Sequence, residues 1–182
     1  MQCEECGQKR TRHKATLDRP YHDHLTGLSN VYLVGIAIEE CACGEAPEIP
    51  RVPELLDTIA LVLLQKPGLL RGEEIRYLRK HAGFPAGEFV QILGVSREHL
   101  SRVENGHTEN FGVSADRLIR LLALKKSNRE LVGRLLREID GRPRRDQQLW
   151  LRWNGKRWQA SDGQSTNWYV PQQSNKPLSQ CL

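Results

Sequence analysis

Leu93-Gly94-Val95-Ser96-Arg97-Glu98-His99-Leu100-Ser101-Arg102-Val103-Glu104-Asn105-Gly106 decides how this chain is read. Ser96 carries a hydroxyl suited to accept from the first-turn amides of a helix, and Asn105-Gly106 is a stop. A helix over residues 97–104 is therefore predicted, with Leu100 and Val103 turned inward at i, i+3. Residues 85–93 form a short preceding helix, and Leu93-Gly94-Val95 is the turn between them. Two short helices joined tightly, the second with a polar outward face, make a helix-turn-helix. The outward set is Arg97, Glu98, His99, Ser101 and Arg102, with Ser96 at the cap. Arginine can grip guanine O6 and N7 with two donors, and glutamate can accept from a cytosine amine. The serines suit phosphate oxygens. These six are the predicted DNA-binding residues, whereas Glu104 is expected to anchor the motif from inside. Pro85-Ala86-Gly87 lacks the polar side chains that often hold phosphate there, and Gly87 costs up to about 1 kcal/mol against alanine inside a helix.

Outward from this motif the helical pattern continues. Pro47, Pro50 and Pro53 mark a boundary, and Pro53 suits the first turn of a helix running to about Gln65. Leu55, Leu56, Ile59, Val62 and Leu63 give that helix a wide apolar face, which needs the N-terminal module or a second subunit to cover it. Lys66-Pro67-Gly68 breaks it. Another helix is predicted over residues 72–82, a third after Ser114 as its cap, and a last over residues 127–139.

The N-terminus holds a different chemistry. Cys3-Glu4-Glu5-Cys6 is a CxxC pair, and Cys41-Ala42-Cys43-Gly44 brings two more thiols. Two thiol pairs are what a tetrahedral zinc site needs. Residues 41 and 43 on one strand would set their side chains ~7 Å apart, so the chain must bend there to bring both to one ion. The other solution takes Cys3, Cys6 and one of Cys41 or Cys43, completed by His13, His22 or His24. About 50 polar residues offer little core of their own, which favours a metal over four idle thiols. Four thiolates leave no open position for water, and no His-Glu-x-x-His accompanies them, so no enzyme is expected. Residues 7–27 read as a loop or weak hairpin. The apolar run Asn30 to Ile38 reads as a strand feeding the second thiol pair.

After Gly141 the character changes again. Arg142-Pro143-Arg144-Arg145 is a basic linker, and residues 160–182 have the polar composition of disorder. Between them, Leu149-Trp150-Leu151-Arg152-Trp153-Asn154-Gly155-Lys156-Arg157-Trp158 is a hairpin signal around Asn-Gly. An isolated hairpin needs a surface to be stable, so it is expected to dock on the body or order on binding. Cys181 reads as an incidental thiol. Charge is uneven: residues 1–66 hold seven Lys/Arg against ten Asp/Glu, whereas residues 127–182 hold ten against five. An acidic head and a basic body point to a polyanion meeting the C-terminal two-thirds. No apolar signal core follows Met1, and the run from Leu55 to Leu64 is shorter than the ~20 residues that span a bilayer. A cytoplasmic protein without membrane contact is expected, and there paired cysteines bind metal more often than they form disulfides.

The segment from Leu93 to Gly106 resembles the Cro/C1 (Xre) helix-turn-helix. Preceded by Cys3–Cys6, the Asn30-Val31-Tyr32-Leu33 strand and Cys41–Cys43-Gly44, it resembles the MqsA-type (YgiT-type zinc finger) antitoxins over roughly residues 1–125. The resemblance implies an N-terminal zinc domain and a C-terminal domain that dimerises on a palindromic operator, often its own promoter. It also implies a partner ribonuclease toxin. The metal ligands map onto Cys3, Cys6, Cys41 and Cys43, with the second pair shortened from CxxC, and the base-reading positions onto Glu98 and Arg102.

The expected fold is mainly α with a small N-terminal β-containing zinc module and a Cro/C1-like helix-turn-helix domain. Its parts are a zinc-binding module (1–50), a connecting helix (51–66), a DNA-binding domain (67–140), and a basic Trp-rich hairpin with a polar, partly disordered tail (141–182). The expected function is a Zn2+-containing, sequence-specific transcriptional regulator that binds double-stranded operator DNA as a homodimer, and an autoregulating type II antitoxin. The alternatives are a toxin-neutralising interaction module with secondary DNA binding, or a regulator without a toxin.

Overall fold

The computed structural model describes residues 2–4, 6–124, 148–161 and 167–171. They fall into two compact units, Met1–Thr58 with Asp146–Val170 and Ile59–Arg145 with Pro171–Leu182.

The first unit holds two antiparallel-rich sheets. A three-stranded sheet runs β1 (Thr11–Lys14), β4 (Ala37–Cys41), β5 (Gly44–Glu48). A four-stranded sheet runs β2 (Tyr21–His22), β3 (Val31–Val34), β6 (Leu149–Trp153), β7 (Trp158–Ser161). The apolar run from Asn30 to Ile38 is thus two strands rather than one. Gly35, at φ 84°, breaks it and sends β3 and β4 into different sheets. A Cβ there would lie 2.3 Å from the Trp153 carbonyl oxygen, so only glycine lets the chain pass.

The expectation of a mainly α chain is incorrect. The described residues are 36% helix and 23% strand, with seven strands in two sheets. The reason is non-local pairing. β6 pairs in parallel with β3, Val31 opposite Leu149 and Leu33 opposite Leu151, so the Trp-rich hairpin completes a sheet begun more than a hundred residues earlier. Val31, Leu33, Leu149, Leu151 and Trp158 are all buried there. The Trp158 indole donates to the Pro50 carbonyl (2.9 Å) and its backbone N–H to the Glu54 carboxylate (3.1 Å). The Asn154-Gly155 turn forms as predicted, with the Asn154 side chain accepting from the Lys156 and Arg157 amides.

Helix α1 (Val52–Gln65) begins in this unit and runs into the second, which adds α2 (Gly72–His81), α3 (Ala86–Leu93), α4 (Arg97–Glu104) and α5 (Val113–Ala123). Ile59, Leu63, Ile75, Leu78, Phe89, Leu100, Val103 and Ile119 form its core. Two buried ion pairs run through it. The Lys66 ammonium donates to both Glu74 oxygens at 2.9 and 2.8 Å, and the Arg120 guanidinium binds Asp116 at 2.6 Å. Helix α5 starts one residue before the expected Ser114 cap, with Gly112 at φ 83° in the cap position. The helix predicted over residues 127–139 lies outside the described residues. So does the polar tail, apart from residues 160–161 and 167–171, where Ala160 bridges to Tyr169.

At the start of α2, Gly72 lies against the end of α4. A Cβ there would meet the Val103 carbonyl oxygen at 1.8 Å, a backbone contact with no flexible end to yield. Gly72→Ala is expected to cost about 1–3 kcal/mol or more by forcing the two helices apart. Urea unfolding of the variant checks this, and an unchanged midpoint would refute the close approach.

Candidate functional site

The four cysteines at positions 3, 6, 41 and 43 converge, with all four Sγ atoms within 4.8 Å of one another. Cys41 Sγ lies 3.5 Å and Cys43 Sγ 4.0 Å from Cys3 Sγ. The awkward i, i+2 spacing is solved by a tight hairpin. Cys41 closes β4 opposite Gly44 on β5, so Ala42 and Cys43 are the turn itself and Cys43 folds back beside Cys41. Gly44 at φ 135° permits that reversal. On the other side, Cys3 N–H donates to the Gln8 carbonyl and Gly7 N–H to the Cys3 carbonyl, both at 2.8 Å. Gly7 at φ 70° curls the CxxC segment into a knuckle.

The donor set fits one tetrahedral ion. A zinc–thiolate bond of about 2.3 Å puts neighbouring sulfurs roughly 3.7 Å apart, and the Cys3–Cys41 and Cys3–Cys43 separations bracket that distance. A hydrogen bond with Cys6, then burial and bonds with Cys3 and Cys41, push the Cys43 thiol up to about 12. A cation reverses that balance and expels the protons. The histidine alternatives do not join: His13 sits with Glu40 and Glu45, while His22 stacks on Tyr32 and contacts the Ser29 carbonyl.

Arg10 escaped the sequence reading. Its guanidinium donates to Cys3 Sγ (3.7 Å) and to Glu39 (3.0 Å), and these partners hold it charged. Its closeness to the CxxC pair was the available signal, but nothing local indicated that the residue would turn toward the sulfurs.

In the second unit the predicted pair of helices forms within one residue of expectation. Gly94 adopts the left-handed conformation at φ 68°, its N–H meets the Gln91 carbonyl, and Val95 N–H meets the Val90 carbonyl at 3.1 Å. That paired closure ends α3 abruptly and aims the chain into α4. Ser96 Oγ then accepts from His99 N–H at 3.1 Å. Leu100 and Val103 are buried, while Ser96, Arg97, Glu98, His99, Ser101 and Arg102 are all exposed on one short element. Its own backbone amide, then the Ser96 hydroxyl, hold the Glu98 carboxyl below its usual range, so it stays ionised. Glu104 is gripped by Arg79 through two bonds of 2.7 and 2.9 Å, which ties α4 to α2. Arg79 also donates to the Phe84 carbonyl at 3.0 Å, fixing the approach to α3.

No helix among the described residues is long and apolar enough to cross a membrane. No protein-family model matches the chain, and neither a curated protein nor a solved structure does.

Proposed function

We propose that this protein is a zinc-containing, sequence-specific DNA-binding regulator that acts as a homodimer on a two-fold symmetric operator. The observation that carries this reading is α4: a capped two-turn helix after a tight left-handed turn, exposing only polar side chains. Such a helix matches the width of the major groove. Arg97 and Arg102 carry donors for guanine, Glu98 an acceptor for a cytosine amine, and Ser96 and Ser101 hydroxyls for phosphate. His99 packs edge-on against Phe111 and sits at the same face.

The ion in this reading is Zn2+, because four closely set thiolates favour a soft-tolerant tetrahedral ion without redox demands. It holds the N-terminal sheet together and takes no part in catalysis. The resemblance to MqsA-type antitoxins extends the proposal to neutralising a ribonuclease encoded beside this chain, with repression of their shared promoter. Co-purification of such a ribonuclease supports that part; a chain that represses alone restricts the role to regulation.

Arg102→Ala is expected to cost about 1–3 kcal/mol in specific binding and to relax preference at one base pair of each half-site. Fluorescence anisotropy on the preferred duplex and its single-base variants measures both. Unchanged affinity and preference would remove Arg102 from the reading surface.

A further inference from the structure

The thiol cluster is flanked by a charged pair that metal ligation by itself does not require. Arg10 Nη2 donates to Cys3 Sγ at 3.7 Å, and Arg10 Nη1 donates to Glu39 Oε2 at 3.0 Å. Glu39 sits on β4 two residues before Cys41, so one guanidinium links the N-terminal knuckle to the hairpin that carries the other two thiols. Arg10 and Glu39 also line a shallow cavity together with Cys3, Cys41 and Cys43.

Four thiolates around a divalent ion leave two negative charges at a site whose most buried ligand, Cys3, is only 4% exposed. Water cannot solvate that sulfur well, so charge on it is costly unless a cation or donor lies near. We infer that Arg10 is a positioning residue for the metal centre: its guanidinium bonds the Cys3 thiolate, offsets one negative charge, and is itself aimed by Glu39. The inference rests on the zinc reading above and deepens it. A charge-assisted N–H···S bond lowers the energy of the sulfur lone pair, which slows attack on electrophiles, while the guanidinium charge offsets the anionic centre and so favours metal retention.

The test compares the full-length wild type with Arg10→Met, Arg10→Lys and Arg12→Met. Arg12 is the control, because its side chain bonds Glu48 on the exposed side of the same sheet. Zinc affinity is measured by chelator competition. Each protein is also loaded with Co2+, and its sulfur-to-metal charge-transfer band recorded. Arg10→Met is expected to lose about 10–100-fold in zinc affinity and to move the band to longer wavelength. Arg10→Lys is expected to fall between, and Arg12→Met to match wild type. A cobalt band retained in Arg10→Met shows that the site still assembles, so that variant reports on charge rather than on unfolding. If Arg10→Met fails to assemble, Arg10→Lys decides by its band position. Wild-type band and affinity in both Arg10 variants overturn the role of Arg10 while leaving the zinc reading intact. Wild type that takes up neither ion overturns both.

Discussion

Cys3→Ser is expected to abolish stoichiometric zinc binding and to unfold the β1–β4–β5 sheet. The expectation follows from what else holds that sheet. Strands β1 and β5 are mostly exposed along their length, and the buried apolar side chains nearest the sheet are Ala15, Ile36 and Ile38. Burial of an isoleucine contributes about 1.5–3 kcal/mol, whereas structural zinc in small modules supplies about 10–16 kcal/mol of apparent binding free energy at pH 7. The metal therefore dominates. Cys3 is the most buried of the four sulfurs and lies 3.5 and 4.0 Å from the two hairpin thiols, and a serine hydroxyl is a poor ligand at neutral pH. Native mass spectrometry should show the loss of one zinc per chain. Hydrogen exchange should accelerate across residues 11–14 and 37–48, while amides of α4 keep their protection. A variant that keeps its zinc, or loses it with no change in exchange, would contradict this account.

The second large effect lies at a residue with no role in the candidate site. Arg120 is 1% exposed and donates to Asp116 (2.6 Å) and to the carbonyls of Leu63, Leu64, Lys66 and Gly68 at 3.3, 3.0, 2.5 and 2.6 Å. Those carbonyls belong to the last turn of α1 and the bend after it, which have no further helix to bond. Asp116 in turn accepts from Leu70 N–H at 2.6 Å. Removing the guanidinium leaves the buried Asp116 charge with only the Leu70 N–H and takes a donor from the Leu64, Lys66 and Gly68 carbonyls. Arg120→Met is therefore expected to lower unfolding free energy by about 3–5 kcal/mol. Denaturant titration measures it. Adding Asp116→Asn should recover part of the loss by removing the stranded charge. A single-variant change below about 1 kcal/mol would mean the pair behaves like a surface contact.

These two residues also show where the sequence was legible. Helix α4 was readable to the residue because its signals are local: a serine cap, an inward i, i+3 pair and a glycine on either side. The thiol cluster was readable as chemistry, since CxxC and CxC limit what the sulfurs can do, though not as geometry. The hairpin turn at Ala42-Cys43 that makes the spacing workable depends on β4 pairing with β5. The sheets were largely illegible. Nothing near Leu149–Trp153 says that its partner is Val31–Val34, and a strand's partner cannot be inferred from its own alternation. Arg120 was hidden for the opposite reason: an arginine four residues after an aspartate on a helix looks like an exposed pair until the bend after α1 closes over it.

Selection of bound duplexes from a random pool by the full-length protein decides whether α4 reads base sequence. At fixed salt, the selected duplexes are expected to share a two-fold symmetric site with half-sites about one helical turn apart, bound at least about 1,000-fold more tightly than scrambled DNA. Equal, salt-sensitive affinity for every duplex would contradict base reading by α4.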